Sequence, residues 1–327
     1  MKNFITTVVC ATGACAGVAI LSACGGTSTN APLNSQSVAP VGALLARNAG
    51  ATVRPDRRSS WMARFARRGM LLYGSDFSNN SVDVYSYPKG KLVGTLTGFN
   101  QPQGECVDTA GNVFIANTGT SQTLEYAHGG TTPIATFDDS GQYPVSCAVD
   151  PTSANLAVAN VLSTSGSPGS VSVYKPGKST PKIFTDKNFS RMYFLAYDAA
   201  GNLFVDGTSV SGSFQYAELR KGKQRFADIT LGTTIQFPGD VQYDGTYIAI
   251  GDQGNANIYQ TSGATIVGTT TLGGVNQLST FFILGKKVLC PGSCNADVAV
   301  YAYPAGGAPV KSLSLSQGAP GIVVISQ

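Results

Sequence analysis

Short apolar runs separated by turn residues fill most of the chain, and they come in two kinds. Val113–Ala116 is nearly continuous in its apolar residues, whereas Val82–Tyr85 mixes apolar and polar residues and is followed by a proline turn. Continuous apolar runs are expected where both faces of a sheet are covered. Helical periodicity is almost absent from Leu71 to Gln327. The pattern predicts an all-β fold built from many short strands.

These strands recur as a unit. When the copies are aligned, one equivalent position lies at the end of an apolar strand. It is occupied in turn by Asp108, Asp150, Asp198, Asp244, Leu284 and Ile325. This aligned column repeats roughly every 40 to 48 residues, which is the size of a four-stranded β-propeller blade. An Asp in this place suits a turn in which the carboxylate accepts bonds from its own backbone. The repeat therefore predicts six blades.

The two ends of the repeat region complement each other. The first copy begins at its second strand, near Leu71, and residues 318–327 contain an apolar strand with nothing after it. Pairing them would complete one blade with strands from both ends and leave no open sheet edge. We predict a six-bladed β-propeller over residues 69–327, closed by a C-terminal strand. An irregular β-sandwich is the alternative fold.

The chain before the repeat has a different composition. Residues 1–24 have a short basic start, an apolar stretch and a Leu-Ser-Ala-Cys ending. This arrangement resembles the bacterial lipoprotein signal, in which the final Cys is lipidated and becomes the new N-terminus. A simple secretory signal or a membrane anchor is the alternative. The resemblance implies lipidation at Cys24 and an extracytoplasmic protein anchored to a bacterial membrane, in the periplasm or at the cell surface.

Residues 25–58 are rich in Ser, Thr, Asn, Ala, Gly and Pro, which predicts a disordered, flexible tether. Residues 59–68 are basic, and Ser59 or Ser60 would cap a short helix that places Trp61, Met62 and Phe65 on one face. The sequence allows two alternatives for this segment: its apolar face docks on the propeller, or the segment is mobile.

Charge divides unevenly along the chain. Residues 25–70 hold seven arginines and one aspartate, whereas residues 71–327 hold more acidic than basic residues. The basic stretch would favour anionic lipid near an anchor. The mildly acidic propeller, which has no basic and aromatic stripe, argues against nucleic-acid binding.

Four cysteines belong to the predicted propeller: Cys106, Cys147, Cys290 and Cys294. Disulfides persist outside the cytoplasm. Cys290 and Cys294 flank a turn within blade six. Cys106 and Cys147 lie on the innermost strands of adjacent blades with opposite parity, so their side chains are predicted to face each other. We predict both pairs; zinc binding is less favoured because the two pairs lie on distant blades and no His accompanies them.

Catalytic residues are hard to find in this sequence. The single His128 lies in a turn, which gives little support to a Ser–His or Cys–His arrangement. Lactonase-like propellers gather several carboxylates around a central calcium ion. The two predicted channel columns contain one carboxylate each, Asp240 and Glu105, for which a turn cap or a water-bonded group is the alternative. We predict no cofactor and no catalytic residue; a propeller hydrolase of the lactonase type with a central metal is the alternative function.

Polar residues also collect near the ends of second strands. Asp and Asn suit turns, but loops on a rigid scaffold are also where binding residues lie. A candidate binding rim therefore comprises Asp76, Asn79, Asn117, Asn160, Asp206, Asp252 and Asn255. Amides and tyrosines favour a protein, peptide or glycan ligand. We predict a monomeric binding or scaffolding module.

One copy of the repeat also matches a known sequence motif. Residues 104–117 read Gly-x-x-Val-Asp-x-x-Gly-Asn followed by an apolar run, which resembles the NHL-type propeller repeat. Blades three and four match partly, and blades five, six and one lack the Asp-Gly-Asn turn or its Asp. Residues 60–327 also resemble bacterial propeller lipoproteins through Ser60–Met62 and Tyr126–Pro133. The resemblance implies a propeller fold and an envelope location, and it implies no activity.

Overall fold

The computed structural model describes residues 59–166, 168–294 and 296–327, without the side chains of residues 293 and 294. The predicted signal peptide, the lipidated Cys24 and the tether lie outside the described residues. The described part folds into six antiparallel sheets. The prediction of an all-β, six-bladed propeller is therefore confirmed.

Blades one to three come first in the chain. Blade one contains β1 (Trp61–Met62), β2 (Leu71–Asp76), β3 (Ser81–Ser86), β4 (Lys91–Leu96) and the last strand, β25 (Ile322–Ser326). Blade two contains β5 (Pro102–Val107), β6 (Val113–Asn117), β7 (Gln122–Tyr126) and β8 (Pro133–Asp138). Blade three contains β9 (Gln142–Val149), β10 (Leu156–Ser163), β11 (Ser170–Tyr174) and β12 (Lys182–Phe184).

Blades four to six complete the ring. Blade four contains β13 (Arg191–Tyr197), β14 (Leu203–Thr208), β15 (Phe214–Leu219) and β16 (Ala227–Asp228). Blade five contains β17 (Pro238–Tyr243), β18 (Ile248–Asp252), β19 (Asn257–Ser262) and β20 (Thr265–Thr271). Blade six contains β21 (Phe282–Leu284), β22 (Lys287–Cys294), β23 (Ala296–Ala302) and β24 (Gly306–Leu313).

The ring closes through strands from both ends of the described chain. β25 pairs antiparallel with β2, in a register that runs from Leu71 opposite Ser326 to Ser75 opposite Ile322. The four apolar residues of β25 are all buried. The predicted closure is confirmed, and it leaves blade one without an open inner edge.

The helix predicted within residues 59–68 is wrong. Trp61 and Met62 instead form β1, which pairs with β4 at the outer edge of blade one, and only Ala66–Arg68 forms a 3₁₀ turn. Met62 lies over Gly94, where an added Cβ would come within 2.4 Å of its sulfur atom. Alternate residues of an extended segment point to opposite sides, so Met62 packs inward while Trp61 stays exposed. Pairing with the outer edge of β4 satisfies backbone groups that a helix would have left unpaired.

The apolar core lies between the blades. Each of six clusters of buried side chains joins neighbouring blades. In four blades a buried tyrosine is the last or the second-to-last residue of the third strand, namely Tyr85, Tyr126, Tyr174 and Tyr301. Within the ranges described, no helix is long and apolar enough to cross a membrane.

Candidate functional site

The central channel contains a cavity of about 260 Å³. The innermost strands of all six blades contribute to its wall, so the closed ring determines its size and shape. Most of its lining residues are apolar, with Glu105, Ser146, Asp240 and Gln242 as polar side chains and with Tyr197 and Tyr243 among the aromatic ones, and polar and apolar atoms share its exposed wall about equally.

A disulfide forms part of the cavity wall. Cys106 on blade two and Cys147 on blade three are bonded, with their Cα atoms 5.5 Å apart. The opposite strand parity therefore does place these side chains face to face. Cys290 is also disulfide-bonded, but the side chain of its predicted partner, Cys294, lies outside the described residues.

Asp240 is held at the channel by the neighbouring blade. It lies in a bulge of β17, between Pro238 and Val241. Its carboxylate accepts hydrogen bonds from the backbone N–H of Val241 at 2.9 Å and of Phe281 on blade six at 3.2 Å. Burial raises the pKa of Asp240 to about 7, although these hydrogen bonds oppose the shift. This carboxyl group can therefore exchange a proton near neutral pH.

Glu105 has a different environment. It is buried on β5, and neither carboxyl oxygen has a hydrogen-bond partner among the described residues. Because its neighbour Cys106 faces blade three, Glu105 faces blade one, where its charge would act on the Tyr73 phenol. Burial raises the pKa of Glu105 well above its usual value. The group is thus favoured in its neutral form.

Asp206 is a third buried carboxyl group, and it breaks the repeat. Counted from the start of the second strand, its position is occupied by Ala116 in blade two, Ala159 in blade three and Gly251 in blade five. One oxygen accepts a 3.0 Å bond from the backbone N–H of Phe194, and the other is unpartnered among described residues. Burial raises the pKa of Asp206 well above its usual value, the bond from Phe194 opposes this, and the charge of Asp240 adds to it. In the sequence, the only sign that Asp206 is buried near Asp240 is the charged residue at a position where blades two, three and five have Ala or Gly.

The predicted binding rim is not one exposed surface. Asn117, Asn160, Asp206 and Asp252 are buried. Asn117 accepts a 2.7 Å bond from the backbone N–H of Asn100, and Asp252 accepts bonds from the N–H groups of Gln236 and Phe237. Asn117 and Asp252 turn inward because the segment leading into the innermost strand has N–H groups that need acceptors, whereas the Asn160 amide donates to the hydroxyls of Ser170 and Ser172.

Two further rim residues complete turns beside these buried groups. Asp76 accepts hydrogen bonds from the backbone N–H of Ser78 and from both the backbone and the side-chain amide of Asn79. Asn255 donates from its amide to Asp252 at 2.7 Å. Of the seven rim residues, Asp76, Asn79 and Asn255 retain solvent exposure, and all three already have local partners.

The carboxyl groups do not fit a single metal ion. Glu105 is on blade two and Asp240 on blade five, which lie opposite each other in a ring of six. Among the residues that the structure describes, no three His, Cys, Asp or Glu side chains come together as ion ligands would. A calcium ion takes six to eight oxygen ligands, so the described donor set does not match the central calcium of lactonase-like propellers.

Comparison with known proteins adds the fold alone. No protein-family model and no curated protein matches the chain. A chain in the crystal structure of a nidogen/laminin complex matches with a TM-score of 0.61 and 12% sequence identity, over 79% of this chain and 99% of that chain. Because 1113 chains of solved structures match, the likeness is to a widely used architecture that carries many activities. The resemblance to NHL repeats stays a prediction.

Proposed function

We propose that the protein is a lipid-anchored, extracytoplasmic β-propeller that binds a ligand at its central channel. The observation that carries this proposal is the cavity of about 260 Å³ into which the innermost strands of all six blades converge. Binding sites are characteristically concave, mostly apolar and equipped with a few placed polar groups. The channel is concave and places a few polar side chains among apolar ones, although its exposed wall is more polar than that of such sites in general.

The cavity limits the ligand by size and chemistry. Its volume lies just below the roughly 300–1,000 Å³ of sites for drug-sized molecules, so it fits one sugar ring or one side chain of a larger ligand. Asp240 accepts hydrogen bonds near neutral pH, and Tyr197 and Tyr243 offer ring faces. A glycan or a peptide therefore suits the channel better than a nucleic acid.

A panel of short peptides and oligosaccharides tests the channel. Binding is measured by titration calorimetry for the protein and for Asp240→Asn, which keeps the shape of the side chain but removes its charge. The matched control is Asp228→Asn, because Asp228 is exposed on β16 at the outer edge of blade four. We expect Asp240→Asn to weaken binding at least ten-fold and Asp228→Asn to leave it unchanged. A ligand that binds all three proteins equally well would contradict the channel as the site.

The anchor is tested separately. Cys24→Ser removes the only thiol that the lipoprotein-like ending offers for acylation. We expect the wild-type protein to carry acyl label and the variant to lack it, and label retained on the variant would contradict this part of the proposal. Stoichiometric calcium in the purified protein, together with lactone hydrolysis, would favour the hydrolase alternative instead.

A further inference from the structure

Residues 61–68 present an aromatic and basic surface at the outer edge of blade one. Trp61 is 45% exposed and Phe65 is 59% exposed, which is unusual for large apolar side chains. Arg64, Arg67 and Arg68 are exposed in the same short segment. We call the two rings and three guanidinium groups the blade-one patch.

The fold holds this patch in place. Met62 packs against the cluster between blades one and two, Ala66 is buried in it, and β1 is paired with β4. The Arg67 side chain reaches blade two and donates from Nε to the carbonyl oxygen of Gly129 at 3.3 Å. The exposure of Trp61 and Phe65 is therefore a property of the folded ring, because the neighbouring residues Met62, Ala66 and Arg67 are anchored.

The charges of the patch are available to a partner. Arg64 and Arg68 have no ion-pair partner among the residues that the structure describes. The sequence just before the patch adds Arg54, Arg57 and Arg58 against a single acidic residue, Asp56. The rest of the propeller carries more acidic than basic residues, so positive charge is concentrated here.

We propose that the blade-one patch binds the surface of a bilayer containing anionic phospholipid. Tryptophan and phenylalanine favour the boundary between headgroups and acyl chains, and arginine favours the negative lipid surface. The contact would hold the ring side-on, with blade one toward the membrane. The proposal extends the proposed membrane anchoring, but it needs only the residues of the patch.

The position of the patch in the chain supports a lipid partner. Residues 25–58 separate it from Cys24, and a random coil of that length would have an end-to-end distance of about 30 Å. An acylated Cys24 would therefore keep the patch within reach of the bilayer. A second copy of the same patch is a poorer partner because like charges would oppose each other.

The chain contains a built-in probe for this contact, because Trp61 is its only tryptophan. The experiment uses the full chain carrying Cys24→Ser, which cannot be acylated at that position. Vesicles of phosphatidylcholine with phosphatidylglycerol are compared with vesicles of phosphatidylcholine alone. We expect the anionic vesicles to shift Trp61 emission to shorter wavelength and to protect it from iodide. Added salt should reverse both effects by screening. The readout is specific to Trp61, so binding through residues 4–23 alone would not produce it.

Two double variants test the residues. Arg64→Gln with Arg68→Gln should weaken the vesicle affinity by about five-fold for each arginine, given about 1 kcal/mol per basic residue at such a surface. Lys223→Gln with Arg225→Gln makes the same change in net charge on exposed residues of blade four, opposite blade one, and should have little effect. Phe65→Ser should weaken binding while leaving the Trp61 signal readable.

The possible outcomes distinguish a failure of the blade-one patch from a failure of the lipid anchor. No spectral shift with anionic vesicles, an equal shift with neutral vesicles, or an equal loss in the blade-four control would overturn the patch as a lipid-binding surface. Because the protein tested carries Cys24→Ser, none of these results depends on whether wild-type Cys24 is acylated. Conversely, an unlabelled wild-type Cys24 would overturn the anchor and leave the patch standing. Concentration-dependent dimers in which Trp61 becomes protected without lipid would point to a second copy as the partner, and would also overturn the proposal.

Discussion

The two faces of blade two are joined to their neighbours in opposite ways. Adjacent residues of β5 show the contrast: Cys106 is bonded to Cys147 of blade three, whereas Glu105 is buried toward blade one without a hydrogen-bond partner among the described residues. One seam is covalent. The other depends on apolar packing and hydrogen bonds.

The seam between blades two and three has the thinner apolar layer. Its cluster contains six buried residues, two of which are the bonded cysteines, against twelve in the cluster between blades one and two. Hydrogen bonds support it, from the Thr118 hydroxyl to the carbonyl oxygen of Pro144 at 2.7 Å and from the Tyr174 hydroxyl to that of Asp138 at 2.8 Å. The disulfide therefore stabilises the seam where packing contributes least.

The seam between blades one and two contains the end of the chain. The Ser326 hydroxyl donates to the carbonyl oxygen of Gly111 at 2.5 Å, and His128 Nδ1 lies 2.6 Å from the same hydroxyl. A Cβ at Gly111, whose φ is +83°, would lie 2.4 Å from the carbonyl oxygen of Gln327. The ring is therefore closed by close packing and hydrogen bonds at this seam, and we expect it to open here first.

Removing the closing strand should have the largest effect. Deleting residues 318–327 exposes the inner edge of β2 and removes four buried apolar side chains from blade one. Each such side chain contributes about 1.5–3 kcal/mol, so the loss is comparable to the whole stability of about 5–15 kcal/mol of a typical protein. Calorimetric melting measures it, with a chain lacking only Gln327 as the control. A truncated protein that melts within a few degrees of this control would show that the strand does not close the ring.

Breaking the covalent seam should cost less. Cys106→Ala with Cys147→Ala removes a crosslink between residues 41 apart in sequence, which corresponds to about 3–4 kcal/mol in the chain-entropy account. Urea unfolding of the variant should show this loss, and reduction of the wild type, which also breaks the disulfide of Cys290, should cost at least as much. A digest of the unreduced protein should link the peptides of Cys106 and Cys147. Peptides that link either residue to Cys290 would contradict the seam.

The contrast also shows which features the sequence could predict. The six blades and the closing strand followed from a repeated column and from two incomplete ends. The facing of Cys106 and Cys147 followed from strand parity, which depends only on counting along two neighbouring strands. β1 was missed because Trp61–Met62 is too short for any periodicity, and its structure depends on an edge of β4 more than thirty residues away.

The candidate site was harder to predict for a related reason. The aligned positions at the channel identified Glu105 and Asp240. Their burial and their partners depend on neighbouring blades, which the repeat does not show. For example, Asp240 accepts a hydrogen bond from the N–H of Phe281 on blade six. Asn117 and Asp252 were expected at the surface because Asn and Asp suit turns. They are buried because nearby backbone N–H groups need acceptors, and a local pattern does not show that need.

Ionisation of Glu105 should weaken the seam between blades one and two as the pH rises. Burial raises the folded-state pKa of Glu105 above its usual value, so the folded protein retains a proton that the unfolded chain releases above about pH 4.5. Stability relative to Glu105→Gln should then fall with increasing pH, by up to about 1.4 kcal/mol per unit, until the folded-state pKa is passed. Urea unfolding of both proteins from about pH 4 to pH 8 measures the difference. Parallel pH curves would mean that Glu105 finds a partner or water in solution.

The smallest effect should come from the contact between Ser326 and His128. The hydroxyl of Ser326 has one hydrogen and donates it to Gly111, so its oxygen accepts from His128 and the Nδ1–H form of the imidazole is required. Ser326→Ala leaves the carbonyl oxygen of Gly111 and this N–H without their partner, at a cost of about 1–2 kcal/mol. His128→Phe and the double variant complete a thermodynamic cycle, in which we expect a coupling of about 1 kcal/mol near pH 8.

Burial lowers the pKa of His128. The unfolded chain therefore takes up the proton first, and the contribution of His128 to the stability should be lost as the pH falls through about 6.5. Strictly additive effects of the two substitutions would show that the contact between His128 and Ser326 does not stabilise this end of the chain, and would leave the bond to Gly111 as the contribution of Ser326.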